Sequence, residues 1–197
     1  MDYLGGKVVR VARKTPLTPL GVAALGLLVE RPMHPYEMYQ LLMQRHEDRL
    51  VKIRRGTLYH MVGRLAAAGL VEPTGTDRDG NRPERTTYAV CPEGKAALEG
   101  RIKELLSTPV NEYPCFPQAL GEAHNLPSGV VLGLLETRLT ALEAGLAILN
   151  ADAAQGTSRG VAEKYWIDVG YQQHQLRAEI QWVGGLRANI AHGTIPW

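Results

Sequence analysis

The apolar positions of this chain change rhythm several times, and each rhythm predicts an element. In "TPLGVAALGLLVE", Leu20, Ala24, Leu27 and Leu28 recur at helical spacing; Thr18 can cap, Pro19 suits the first turn, and Pro32 ends the helix. A second helix is expected after Pro35, with Tyr36, Met38, Tyr39, Leu41 and Leu42 on its apolar side, fraying in the charged "RHEDRL". Tyr36 should pack against the helix that follows, and Glu37 should complete a cap. That third helix lies in "RRGTLYHMVGRLAAAGLV": Leu58, Met61, Val62 and Leu65 fall on one face, whereas Thr57, His60 and Arg64 share the other.

After Gly69 the pattern shortens to that of strands. A strand is expected from Leu70 to Thr74, a turn at "DRDGN", and a returning strand from Arg85 to Val90, where Thr86, Thr87, Tyr88 and Val90 favour β structure. Pro92 opens a further helix with Ala96, Ala97, Leu98, Ile102, Leu105 and Leu106 available to pack. Three helices followed by a hairpin make a winged helix-turn-helix, in which the third helix reads a groove of DNA and the hairpin, the wing, lies against the backbone.

The turn-rich "STPVNEYPCFPQALGEAHNLP" predicts a linker with a short helix over 117–123. Beyond it Leu132, Leu135, Leu139, Leu142, Leu146 and Leu149 alternate spacings of three and four residues, a heptad seam. "NADAAQGTSRG" reads as a linker before a last helix from Arg159 to Ile190, striped by Trp166, Val169, Leu176, Ile180 and Val183 with Gln173 as its one polar seam position. The fold class is therefore mainly α with a small β-hairpin. A basic arm occupies 1–16, a winged helix-turn-helix domain 17–107, a linker 108–126, a helical dimerisation domain 127–190, and a tail 191–197. These seams are wider than one helical hairpin needs. Some of their apolar surface packs within the chain; the remainder assigns the six leucines, with Trp166, Leu176, Ile180 and Val183, to a homodimer interface.

Composition narrows the class. With 45% hydrophobic residues in 197, the chain can build a core, and its apolar runs fall short of the roughly 20 residues that span a bilayer, so no membrane partner is expected. The basic N-terminus lacks the apolar stretch of a secretory signal, which makes the cytoplasm the expected location. Cys91 and Cys115 lack metal-ligand spacing and read as buried or free thiols. No Gly-rich phosphate loop, metal set or Ser-His-Asp set is present, so no catalytic residue, metal or cofactor is assigned and the chain is not read as an enzyme. Charge adds a direction: residues 1–106 hold 17 Lys and Arg against 12 Asp and Glu, whereas residues 107–197 hold 5 against 8. The front half therefore favours an anionic partner.

Double-stranded DNA is that partner in our reading. Arg64 can grip guanine, the Thr57 methyl can meet thymine, and His60 can donate or accept; Lys52, Arg54 and Arg55 suit phosphates at a helix N-terminus. Tyr59 either touches DNA or packs partly into the domain. On the wing Asn81, Arg82 and Arg85 are the candidates, although Asp77, Asp79 and Glu84 stand among them.

These motifs carry a resemblance. "HPYEMYQLL", "GTLYHMVGRLAAAGLV" and "GNRPERTTYAVCPEGKAAL" resemble the PadR-like family of winged-helix transcriptional regulators, whose members carry a Gly-Thr-Leu-Tyr helix start and a Tyr-containing wing strand leading into a T-x-x-G turn. "FPQALGEAHNLP", "LETRLTALEAGL" and "AEIQWVGGL" are similar to the helical C-terminal dimerisation segment of many members. The likeness spans residues 17 to 190, with "CPEG" where the family usually has a Leu-Thr start, and with a basic "KVVRVARK" outside the family core. That stretch is either an extra DNA-binding arm or a leader.

The resemblance implies a dimeric repressor, in some members released by a phenolic acid or flat hydrophobic drug near the dimer interface. A small aromatic ligand would find Tyr165, Trp166, Tyr171 and Trp182 on the last helix, although core packing and dimer contacts are the favoured roles of these rings. Two alternatives stay open: a winged-helix module that binds an acidic protein, and a sensor of aromatic ligands without direct DNA readout.

Overall fold

The structure, a computed structural model, describes residues 16–77 and 85–197. They form two compact units that meet in sequence between Asn111 and Glu112. The first contains α1 (Pro19–Glu30), α2 (Pro35–Gln44), α3 (Arg55–Ala67), the hairpin β1 (Val71–Asp77) and β2 (Arg85–Val90), and α4 (Pro92–Ser107). Helix α1 begins where Thr18 Oγ1 accepts the Gly21 N–H at 3.2 Å, with Pro19 at the first helical position. Helix α2 is capped by an imidazole: His34 Nδ1 accepts the Tyr36 N–H at 3.0 Å. Glu37 was expected to complete that cap and instead pairs with Arg31, because the imidazole already satisfies the first-turn amide.

One-sided burial holds these helices together. Leu25 and Leu28 of α1, Met38 and Leu42 of α2, and Leu58 and Val62 of α3 are fully enclosed, each side chain stabilising the unit by about 1.5–3 kcal/mol relative to exposure. Between α1 and α2, Met33 exchanges backbone hydrogen bonds of 3.1 and 3.2 Å with Tyr88, which stitches the helices to β2. Strand β1 runs farther than the expected 70–74, and its register shifts between Pro73 and Gly75, where proline cannot donate to the ladder. Helix α4 reaches the core through Gly94, Ala97 and Leu98; Ala96, Ile102, Leu105 and Leu106, also expected to be available for packing, are exposed. Arg101 Nε donates to the Leu17 carbonyl at 3.2 Å and anchors this helix to the entry of α1.

The second unit holds α5 (Cys115–Gly121), α6 (Ser128–Ser158) and α7 (Ile167–Ala191). Two expectations are corrected here. Most of the supposed linker "NADAAQGTSRG" continues α6, because its alanines propagate a helix, and the stop comes at Gly160, whose φ of +66° suits glycine. The last helix accordingly starts at Ile167 rather than Arg159, after a single 3-10 turn over Glu163–Tyr165. Helices α6 and α7 form an antiparallel hairpin around Val131, Leu135, Val183 and Ile190, with Phe116 and Ile195 packed against that cluster. Polar ties flank it: Arg138 Nε donates to Glu179 at 2.8 Å, and Arg187 Nε to Glu136 at 2.8 Å. Gln173, the polar seam residue, donates to the Leu149 carbonyl at 3.2 Å and to Asn150 Oδ1 at 3.0 Å. Among the described residues no helix is long and apolar enough to cross a membrane.

Candidate nucleic-acid interface

Helix α3 has two unlike faces. Leu58, Met61, Val62 and Leu65 are buried, while Thr57, His60 and Arg64 are exposed. From Thr57 to Arg64 is seven residues of helix, about 10.5 Å, a length that lies within a major groove about 12 Å wide. Lys52, Arg54 and Arg55 are exposed at the start of the same helix. Among the described residues, none of Lys52, Arg54, Arg55 and Arg64 forms an ion pair, whereas Arg31, Arg45 and Arg101 in the same unit each face a carboxylate. The Glu30 carboxyl is held below its usual range, chiefly by the hydrogen bond from Arg45, and that of Glu37 by the one from Arg31. Acidic groups at the α1–α2 corner are thus internally neutralised and the α3 cations are not. Arg54 also leaves the α3 N-terminus without a side-chain cap, unlike Thr18 and His34 on α1 and α2, so its first-turn amides favour an incoming anion.

Tyr59 serves both surfaces: its ring meets His34 edge-on at 5.8 Å, yet the residue is 44% exposed. A feature the sequence reading missed lies beside it. The Arg55 guanidinium sits 5.1 Å from the ring centres of both Tyr36 and Tyr39. The available signal was an aromatic pair three residues apart on the helix preceding a cationic turn. Asn81 and Arg82 lie outside the described residues, as does the basic arm through Thr15. Arg85 opens β2 opposite Asp77 in the backbone register.

In the second unit, Leu135, Leu149 and Val183 are buried inside one chain, and Leu132, Leu139, Leu142, Leu146, Trp166, Leu176 and Ile180 are half-buried. The stripe left open on α6 is a different one: Val130, Leu134 and Ile148, with the last two 56% and 55% exposed. Trp166 is engaged locally, donating from Nε1 to the Val161 carbonyl at 3.1 Å while its indole lies over Gly156. Tyr165, Tyr171 and Trp182 are exposed. Tyr171 and Trp182 share a face of α7 but stand about 16 Å apart along it, so one small ring cannot bridge them within a chain. No group of His, Cys, Asp and Glu able to hold a metal occurs among the described residues, and Cys91 and Cys115 are free thiols.

The transcriptional regulator PadR-like family matches residues 24–100, which begin within α1 and end within α4. Residues 24–100 are a PadR-like domain. The family is one of transcriptional regulators, not enzymes, which agrees with the lack of any catalytic constellation in the sequence. The PadR-like fold continues through the helical hairpin. Bacillus subtilis PadR, solved in complex with operator DNA, superposes with a TM-score of 0.75 at 16% identity, over 89% of this chain and 99% of that one. The same protein with p-coumaric acid gives 0.70 at 14% identity, over 90% and 98%. A PadR-like regulator of Bacillus cereus gives 0.64 at 14% identity, over 88% and 98%. No curated protein matches the sequence.

Proposed function

We propose that this PadR-like chain is a sequence-specific DNA-binding repressor that works as a homodimer. Thr57, His60 and Arg64 meet base edges, Tyr59 lies at their margin, and Lys52, Arg54 and Arg55 bind phosphates. Asn81, Arg82 and Arg85 bring the wing to the backbone. The observation that carries this reading is the outward face of α3, whose cations form no ion pair among the described residues although other arginines of the unit do. The solved complex of Bacillus subtilis PadR with operator DNA supports the choice of ligand. Its complex with p-coumaric acid supports a small aromatic effector, for which Tyr165, Tyr171 and Trp182 offer exposed rings. For dimerisation the open stripe of Val130, Leu134 and Ile148 supplements the half-buried seam leucines.

Fluorescence anisotropy against the chain's own upstream promoter duplex and a scrambled duplex tests the function. Preference for the promoter by roughly a thousandfold, with a steep salt dependence, is the expected result; equal weak binding to both overturns specific regulation. Analytical ultracentrifugation of Leu134→Glu and Ile148→Glu tests assembly. A folded monomer is expected, and a dimer as tight as that of the unaltered chain would remove this stripe from the interface.

A further inference from the structure

We infer that Tyr36 and Tyr39 are positioning residues that hold the Arg55 guanidinium as a preformed phosphate clamp at the mouth of α3. This inference rests on the DNA-binding reading above. Both tyrosines project from α2, three residues apart and therefore on one face, and both rings lie 5.1 Å from the Arg55 guanidinium carbon. The rings are half-buried, whereas Arg55 is exposed. Gln40 Nε2 donates to the Tyr36 hydroxyl at 3.4 Å and restrains that ring from its far end.

The manner of restraint matters. An arginine side chain has many rotamers to lose on binding, and a partner that orients it beforehand lessens what DNA must order. Carboxylates do this for Arg31 and Arg45 in the same unit, but they also cancel the charge. Aromatic faces attract the cation through their quadrupoles and leave its charge and its N–H donors available. Arg55 is the first residue of α3, beside the uncapped first-turn amides, so an anion held there meets both sets of donors. The clamp is thus suited to a phosphodiester oxygen rather than a base edge.

The test uses the full chain and a labelled duplex of arbitrary sequence at low salt, because phosphate contacts do not depend on sequence. Tyr39→Phe should bind as the unaltered chain does, and Tyr36→Phe within about twofold of it, since that variant loses only the long, exposed Gln40 hydrogen bond and keeps the ring face. Replacing both tyrosines by Leu should weaken binding roughly fivefold with the salt slope little changed, because the charge stays, whereas Arg55→Ala should weaken it at least as much and lower the slope by about one. In the Arg55→Ala background the two leucines should weaken binding no further, which loss of general packing would not reproduce. Should the double leucine variant fail to fold, Arg55→Lys replaces it: the charge stays, planar stacking goes, and a fivefold loss is expected. The inference is overturned, with DNA binding intact, if the leucine or lysine variants match the unaltered chain or if the leucines act equally with Arg55 absent. If the unaltered chain does not bind the duplex, the DNA-binding reading falls and takes the clamp with it.

Discussion

Gly94 is the position where one added methyl group should do most harm. An ideal Cβ there would lie 2.1 Å from the Leu70 carbonyl oxygen and 2.8 Å from Val90 Cγ2. That carbonyl cannot swing aside freely, because it accepts the Cys91 N–H at 3.0 Å and closes the corner between β2 and α4. Forcing the methyl in costs about 1–3 kcal/mol of overpacking. Losing the Leu70–Cys91 hydrogen bond adds about 1 kcal/mol. Alanine returns up to about 1 kcal/mol as the better helix former, leaving a net loss of about 1–4 kcal/mol for Gly94→Ala. Gly100 supplies the control: it lies in the same helix, exposed, with nothing within 4 Å of its ideal Cβ, so Gly100→Ala should stabilise by up to about 1 kcal/mol. The assay must report the first unit. All three tryptophans, Trp166, Trp182 and Trp197, lie in the second, so amide hydrogen exchange over β2 and α4 is required rather than tryptophan fluorescence. Equal protection in Gly94→Ala and Gly100→Ala would refute the close-approach argument.

Further expectations concern the α3 face, pH and the thiols. Arg64→Ala should cost about 1–3 kcal/mol on the promoter duplex and little on a scrambled one, whereas Lys52→Ala should weaken both alike; anisotropy with the two duplexes decides, and equal losses for Arg64→Ala would exclude it from base readout. Glu30 and Glu37 have depressed folded-state values, so their stabilisation is complete above the unfolded carboxyl value of about 4.3 and is lost as pH falls through the lower folded value. Thermal melts below pH 4 should accordingly show Glu30→Gln converging on the unaltered chain. Glu30 and Arg45 are solvent-screened, so the gap at neutral pH should be only about 0.5 kcal/mol, and a gap that widens in acid would contradict the pairing. Burial, then Glu72 and Glu93, pushes the Cys91 thiol up, while Cys115 is exposed; timed alkylation followed by peptide mass spectrometry should find Cys115 modified first, and the reverse order would contradict that placement.

The helices of the first unit were legible because prolines and glycine punctuate them and because each buries one face. Thr18, Pro19, Pro32, Pro35 and Gly69 bracket α1, α2 and α3, and the Leu58–Leu65 face of α3 could be read from spacing alone. The end of α6 was not legible in the same way. Asn150, Asp152 and Gly156 look like turn formers, yet alanines lie between them, and the missing side chain of Gly156 leaves room for the Trp166 indole. The outer half of α4 misled for the opposite reason: Ile102, Leu105 and Leu106 have core chemistry, but the described residues of the unit place no core beneath them. Of the candidate site, the outward residues of α3 follow from helical periodicity. The aromatic support of Arg55 does not, since it depends on how α2 and α3 are brought together by contacts distant in sequence.

The same distinction governs the long helices. A heptad seam tells that a face wants a partner but not whether the partner belongs to the same chain. Here the most regular seam is partly occupied by α7, with Leu135 and Leu149 enclosed, the other four leucines half-buried, and Gln173 satisfied by Leu149 and Asn150. Leucines already enclosed cannot contribute the same surface again to another protomer without opening the hairpin. Val130, Leu134 and Ile148 are not so committed, and the step of fourteen positions from Leu134 to Ile148 is two heptads, so they return to one face of α6. They are hard to find in sequence because Gly, Ala and Thr lie between them while the leucine seam is continuous. A helix with two apolar faces, one closed by its own hairpin and one left open, satisfies its own fold and still retains surface that a second chain can cover.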